Sequence, residues 1–455
     1  MSGEPSGIAE QFVRIHFYFV RCFKQDSEVE LMGATVGSTQ SRTDQFNAVF
    51  AGFLGWTLDA FDFFILVMVI SAVAKDFHVT VPAIALALAG SLMTRPIGAI
   101  LFGIMADRYG RKLPLMLNVV FYATMSVLSG LAPSYRIFII LRLLFGVGMG
   151  GEWGVGASLT MESVPVRLRG FFSGILQGGY TFGFLLAALA YYAIFPRWGW
   201  RMMFFVGGLP ALLSLFIRSK VKETEAWQQN RTDWKSYGKA IASNWKRFLY
   251  MLLLLMFMNS MSHGTQDMFP TYLTRQLHYA PKLVATITML ATLGNLCGAL
   301  TGGRLSDLWG RRRIMMIAVT LALLLIPLWM WAPNIPTIVI GAFLMQFMVT
   351  GAWGVMPAHM NELSPPQLRG FFPGFVYQMG VLCASSISYI EARIGEHFSY
   401  SRAMSMSMVV VLACLLLTIK FGPEAKGVAF VKPKEPSTVE HEPVLEPTPD
   451  GNNAP

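Results

Sequence analysis

The sequence predicts an all-α membrane protein of twelve transmembrane helices arranged as two pseudo-symmetric bundles of six. Three observations lead there. Hydrophobic residues make up 54% of the chain and charged residues 14%, with a mean hydropathy of +0.49, whereas a soluble domain carries about 25% charged residues. Apolar windows of about 20 residues, each long enough to cross a bilayer, recur roughly twelve times. Finally, sequence blocks from the first half return in the second at a constant displacement of 200 residues.

Taken in order, the windows begin near Ala48, Val81, Leu113, Ile137, Gly170 and Met202, then near Phe248, Leu283, Ile314, Ile335, Gly370 and Ala403. The expected organisation is a cytoplasmic tail over 1–47, a bundle over 48–220, a basic linker over 221–246, a second bundle over 247–422 and a disordered Pro/Glu-rich cytoplasmic tail over 423–455. The apolar-basic stretch 12–23 either lies on the membrane surface or precedes a start at Met32. No cleavable signal peptide stands out. In the fourth window Gly146, Gly150 and Gly154 recur every four residues, as do Gly170, Gly174 and Gly178 in the fifth; such small-residue ridges let helix backbones meet closely.

A net charge of +10 would suit nucleic acid if it were clustered on one surface. It sits instead in alternate loops: Arg108, Arg111 and Lys112; Arg167 and Arg169; the linker; and Arg304 with Arg311, Arg312 and Arg313. The positive-inside rule makes these loops and both termini cytoplasmic, in an inner (plasma) membrane. The run Arg197-Trp198-Gly199-Trp200-Arg201 suits the opposite interface. Cys22, Cys297, Cys383 and Cys414 show no CxxC spacing, so neither disulfide nor metal site is expected, and no cofactor.

The repeat is specific. Gly103-Ile-Met-Ala-Asp107-Arg108-Tyr-Gly110-Arg111-Lys112 returns as Gly303-Arg-Leu-Ser-Asp307-Leu308-Trp-Gly310-Arg311-Arg312, Gly151-x-Trp153-Gly154-Val155 as Gly351-x-Trp353-Gly354-Val355, and Glu162 with Leu168 to Phe172 as Glu362 with Leu368 to Phe372. Two parallel six-helix repeats that rock around a central site are a transporter plan. From about Ala48 to Gly422 the chain resembles the major facilitator superfamily, whose loop signature G-x-x-x-D-[RK]-x-G-[RK]-[RK] is complete in the first half and lacks one basic residue, at Leu308, in the second. The resemblance implies the major facilitator fold, with Asp107, Arg108, Arg111, Asp307 and Arg311 as a gating latch. Antiporters of the superfamily carry a Gly-Pro pair in helix five; Gly178-Gly179 stands here, which disfavours exchange.

Substrate chemistry is expected where the two copies diverge. Asp59 and Asp62 align with Asn259 and Ser262, Arg95 with Asn295, Arg142 with Ala342 and Glu152 with Ala352. Arg95 lies in an uncharged run of about 25 residues, too far from either surface to snorkel, so it needs a buried partner. The first choice is a substrate carboxylate, gripped as a two-pronged fork; a permanent salt bridge to Asp59, Asp62 or Glu152 competes. Arg142 reads as structural, with Glu152 as its partner or as a proton relay with it. In the seventh window Asn259, His263 and Asp267 recur every four residues and share a helix face. Imidazole loads and releases a proton near neutral pH, and Pro270 removes a backbone bond beside it.

At these residues the resemblance narrows to the lactate/pyruvate:proton symporters of the sialate:proton symporter family. Their helix-seven pattern N-x-x-[ST]-H-x-[ST]-Q-D-x-x-x-T is met at Asn259, Ser262, His263, Thr265, Gln266, Asp267 and Thr271. The resemblance implies that His263 and Asp267 couple protons; the divergent positions add Asp59, Asp62 and Glu152 as further candidates. It implies that Arg95, Asn259, Tyr377 and Gln378 bind substrate, and Glu391 is expected near the outer mouth. The expectation is a monomeric proton symporter of small monocarboxylates, with the bilayer as its other partner and no enzyme activity. One rival is a symporter of sialate or of aromatic acids, favoured by Leu58-Asp59-Ala60-Phe61-Asp62, which resembles the D-G-F-D element of aromatic-acid carriers. The other is a non-transporting nutrient sensor, disfavoured by the short tail. Neither GxxxxGK[ST] nor HExxH occurs, and no filter-like loop suggests a channel.

Overall fold

The computed structural model describes residues 41–231 and 234–431. Residues 1–40, which hold the 12–23 stretch, Met32 and Cys22, and residues 432–455, most of the expected C-terminal tail, lie outside the described residues. The ordered elements are helices: α1 Arg42–Asp76, α2 Val81–Tyr109, α3 Lys112–Leu131, α4 Tyr135–Ser163, α5 Arg169–Val206, α6 Pro210–Lys220, α7 Glu225–Gln229, α8 Trp234–Ser243 and α9 Trp245–Gln266. They continue with α10 Phe269–Thr271 and a π-helical turn Tyr272–Gln276, α11 Pro281–Trp309, α12 Arg311–Met330, α13 Ile335–Trp353, α14 Met356–Leu363, α15 Phe372–Ala384, α16 Ile387–His397 and α17 Tyr400–Phe421.

Nine described stretches are long and apolar enough to cross a membrane, and one bent pair makes a tenth. Two breaks account for the difference from twelve. The stretch Val166–Ile217 has 52 residues, about 78 Å if straight at 1.5 Å per residue, against a hydrocarbon core of about 30 Å. Gly199, at φ 70° and ψ −174°, splits it into the fifth and sixth crossings. Its glycine is required because other residues avoid this backbone region. The eleventh crossing is interrupted at Ser385-Ser386, between α15 and α16. Pro270 follows the end of α9, as its missing N–H predicts.

The repeat is visible in the backbone. Gly110 and Gly310 turn α2 into α3 and α11 into α12 at φ 96° and 102°, and His78 and His278 take up φ 52° and 55° in equivalent turns. The glycine ridges pack as expected. Gly146 and Gly150 lie on the α2 backbone at Ser91 and Arg95, while Gly170 and Gly174 lie on α11 at Gly303 and Ala299. The two bundles therefore meet along α5 and α11, and along α15 against α2 and α4.

Candidate functional site

Between the bundles lies a cavity of about 480 Å³, lined by α1, α2 and α5 on one side and by α9, α11, α13, α15 and α16 on the other. Trp56, Phe63, Phe64, Tyr180, Trp353 and Tyr377 supply its aromatic surface. The end of the cavity nearer the basic loops is shut. There Trp153 of α4 stacks on Tyr377 of α15 at 4.4 Å between ring centroids, and Trp56 meets Tyr377 edge-on at 6.1 Å. At the other end His263 and Asp267 are each 40% exposed, so the cavity opens away from the basic face.

Arg95 projects from α2 into this cavity and is only 5% exposed. One Nη lies 3.1 Å from Met149 Sδ, and the guanidinium stands 5.4 Å from the Phe63 ring centroid. Its Nε–H is buried without a partner, and among the described residues it forms no ion pair. The salt bridge weighed against the anchor reading is therefore not present in this conformation. Among the acids, Asp59 is one whose carboxyl group feels the Arg95 charge.

The facing wall is the polar stripe. His263 Nδ1 and Asp267 Oδ2 are 3.1 Å apart, and Ser388 Oγ of α16 donates to the same Asp267 oxygen at 2.6 Å. Asn259 lines the cavity while its amide donates to the Leu255 carbonyl at 2.8 Å. Trp353 Nε1 donates to Ser262 Oγ at 2.6 Å, and Gln266 Nε2 to Gln346 Oε1 at 3.0 Å. Of the eleventh-helix pair, Tyr377 faces the cavity. Gln378 instead turns into the seam with α4, where its Nε2 donates to the Gly150 carbonyl at 3.3 Å.

Asp59, Asp62 and Glu152 do not line the cavity; all three are buried within the N-terminal bundle. Ser126 Oγ donates to Asp62 Oδ1 at 2.7 Å, Asn118 Nδ2 donates to Glu152 Oε2 at 3.0 Å, and neither oxygen of Asp59 has a hydrogen-bond partner. The expected Arg142–Glu152 partnership is not formed. Ten residues along one helix separate them by about 15 Å, and Arg142 Nε donates to Ser129 Oγ at 3.0 Å, with Asp62 as the carboxylate in its field. Glu391 lies in α16, three residues after the cavity-lining Ser388, and its side chain is buried and does not itself line the cavity.

The residues expected to form a latch join the two bundles at the basic face. Asp107 accepts the Gly370 and Phe371 N–H groups at 2.6 and 3.1 Å, and Asp307 accepts those of Gly170 and Phe171 at 2.7 and 2.8 Å. Each carboxylate thus takes up orphan donors where a helix of the other bundle begins. Arg111 bridges Asp107 and Glu162 at 3.0 and 2.9 Å, and Arg311 bridges Asp307 and Glu362 at 2.8 and 2.9 Å. Burial works against charge on Arg111, yet Glu162 and Asp107 hold its guanidinium above the ordinary arginine range. Arg108 takes no part in these bonds; it stacks near Tyr109 and Trp234 at 5.2 and 5.0 Å.

The repeat had already singled out Glu162, Glu362 and the Arg169 and Arg369 positions, but not their partners across the seam. Arg169 approaches Glu362 at 3.8 Å and Arg369 approaches Glu162 at 3.7 Å. Both guanidiniums pack on the Phe430 ring, at 3.4 and 3.8 Å from its centroid, and Arg169 also donates to the Val428 carbonyl at 2.5 Å. Nothing in the local sequence around Phe430 signals this contact.

A latch repeated in both halves, a cavity between two six-helix bundles and a match to the Major Facilitator Superfamily over residues 52–274 and again over 252–447 decide the family. The chain belongs to the Major Facilitator Superfamily. It is 27% identical over 393 residues to a carboxylic acid transporter protein homolog of Saccharomyces cerevisiae, covering 80% of this chain and 64% of that one, so it spans less than two thirds of the yeast protein. It is 27% identical to the sialic acid transporter NanX of Escherichia coli, covering 85% of this chain and 96% of the relative. In three dimensions it resembles the proton:xylose symporter XylE bound to 6-bromo-6-deoxy-D-glucose, with a TM-score of 0.70 and 18% identity, covering 85% of this chain and 98% of that one. That likeness establishes the major facilitator fold.

Proposed function

We propose that the protein is a proton-coupled symporter of small monocarboxylates, lactate and pyruvate foremost, working by alternating access in a bacterial-type inner membrane with its basic face cytoplasmic. The observation that carries this reading is Arg95, a buried guanidinium without an ion-pair partner among the described residues, facing a cavity whose opposite wall holds the His263–Asp267 pair. A desolvated guanidinium favours a bidentate carboxylate strongly, and the pair sits where protons from the open side reach it. The names of the yeast and Escherichia coli relatives support an organic-acid substrate.

In this scheme Arg95 holds the carboxylate, Asn259 and Tyr377 bound its pocket, and Gln378 acts on substrate choice through the α4 seam. His263 and Asp267 take up the accompanying proton. An anion arriving at Arg95 draws on the same charge that Asp59 feels, and a proton loaded with it restores the net charge of the cavity, which links the two substrates. Asp62 and Glu152 belong to the buried network behind Asp59. Rocking of the bundles then requires Asp107 and Asp307 to release the four backbone N–H groups they hold, opening the cytoplasmic side.

The test is uptake into reconstituted vesicles. Labelled lactate should accumulate under an inward acid gradient and collapse with a protonophore; equal accumulation without a gradient would contradict the reading. The aromatic lining and the 480 Å³ volume favour one second reading, a larger or aromatic organic acid. Competition by pyruvate, sialate and 4-hydroxybenzoate separates the two.

A further inference from the structure

Glu391 takes no part in either the cavity lining or the latch. Its side chain is fully buried; Oε1 accepts from Ser407 Oγ of α17 at 2.6 Å, and Oε2 is buried with no hydrogen-bond partner. Among the described residues no cation forms an ion pair with it. The packing makes room for this carboxyl. Gly264 follows His263 in the polar stripe, and a Cβ there would stand 3.0 Å from Glu391 Oε1. One turn before Glu391 on the same helix, Ser388 holds Asp267.

The other titratable or charged described groups on this end of the packed elements are His263 from α9, Arg393, His397 and Tyr389 on α16 itself, and Arg402 and Tyr400 on α17. Arg393, His397 and Arg402 are exposed. A buried carboxylate without a cation is costly, and two neighbouring carboxylates resist ionising together.

We propose that Glu391 is a second proton-holding site of the C-terminal bundle, set behind the His263–Asp267 pair. The proton resides on Glu391 Oε2, the oxygen left without a donor. On release the O–H bond at Glu391 breaks, the proton passes to water, and the carboxylate that forms stays bound to the Ser407 hydroxyl. The site's place in a transport cycle rests on the proton-symport reading; its occupancy by a proton does not.

The experiment is infrared difference titration of the full-length protein in lipid vesicles, comparing wild type with Glu391→Gln. The expected result is a protonated carboxylic-acid carbonyl band at neutral pH that the variant loses. No difference in that band between about pH 5 and 8 would overturn the proposal. Ser407→Ala, which removes the donor to the ionised form, should keep the band and move its disappearance to higher pH; an unmoved titration would also count against it, including when Glu391→Gln fails to fold. Gradient-driven lactate uptake by wild type in the same vesicles decides the symport reading separately. A band without uptake would leave Glu391 protonated and overturn only the symport.

Discussion

Replacing Asp107 by asparagine tests the latch at its charge. The carboxylate accepts Gly370 and Phe371 N–H from the other bundle at 2.6 and 3.1 Å, and it also accepts from Arg111 of its own half and from the Tyr237 hydroxyl of linker helix α8, each at 3.0 Å. An amide keeps the volume but has one acceptor oxygen, and its NH₂ would face a second donor. Hydrogen bonds to charged groups are worth about 1.5–3 kcal/mol each. Losing one outright and the charge on the other costs the closed state about 3 kcal/mol, or ~150-fold in the closed-to-open ratio. Ser158 reports on it, because it is fully buried and its Oγ–H donates across the seam to the Arg369 carbonyl at 2.6 Å. With the native cysteines replaced by serine, Ser158→Cys should react slowly with an impermeant maleimide applied from the basic face. Adding Asp107→Asn should speed that reaction by roughly two orders of magnitude. Equal rates in the two backgrounds would refute the latch argument.

Two more predictions concern the same face. Phe430→Ala removes the ring shared by Arg169 and Arg369; with about 0.5–2 kcal/mol for each cation–π contact, Ser158→Cys labelling should rise several-fold while folding is retained. Glu424 lies beyond the last crossing. Burial opposes its charge, but the N–H groups of Arg312 and Lys426, both at 3.0 Å, help hold its carboxyl below the usual glutamate range. A lowered folded value contributes stability that is present above the unfolded value and lost as pH falls through the folded one. Thermal stability of wild type should therefore fall below about pH 4, and Glu424→Gln should flatten that decline.

Much of this architecture was legible because membrane crossing and internal repetition leave strong marks. Helices expected near Val81, Leu113 and Ile335 begin at Val81, Lys112 and Ile335, and the paired Asp107 and Asp307 motifs occupy equivalent places. Seven matched positions from Asn259 to Thr271 fall on one short stretch, and Asn259, Ser262, His263, Gln266 and Asp267 line the cavity. What remained hidden depends on contacts distant in sequence. Asn118 with Glu152, Ser126 with Asp62, and Phe430 with two arginines are joined by packing that no local pattern encodes. The Arg142–Glu152 pairing was excluded in principle by helical rise alone. The burial of the Glu391 carboxyl against Gly264 and Ser407 was likewise hidden, because those contacts join three different helices.

The central claim is that a carboxylate held by Arg95 enters with a proton held by the His263–Asp267 pair. The most direct measurement is the external pH of weakly buffered proteoliposomes when unlabelled lactate is added, with wild type compared with Arg95→Ala and Asp267→Asn. Wild type should make the medium more alkaline as lactate enters. Arg95→Ala should show neither lactate entry nor a pH change, and Asp267→Asn should bind lactate without proton uptake. Lactate entry with no alkalinisation in wild type, or full activity in Arg95→Ala, would contradict the account.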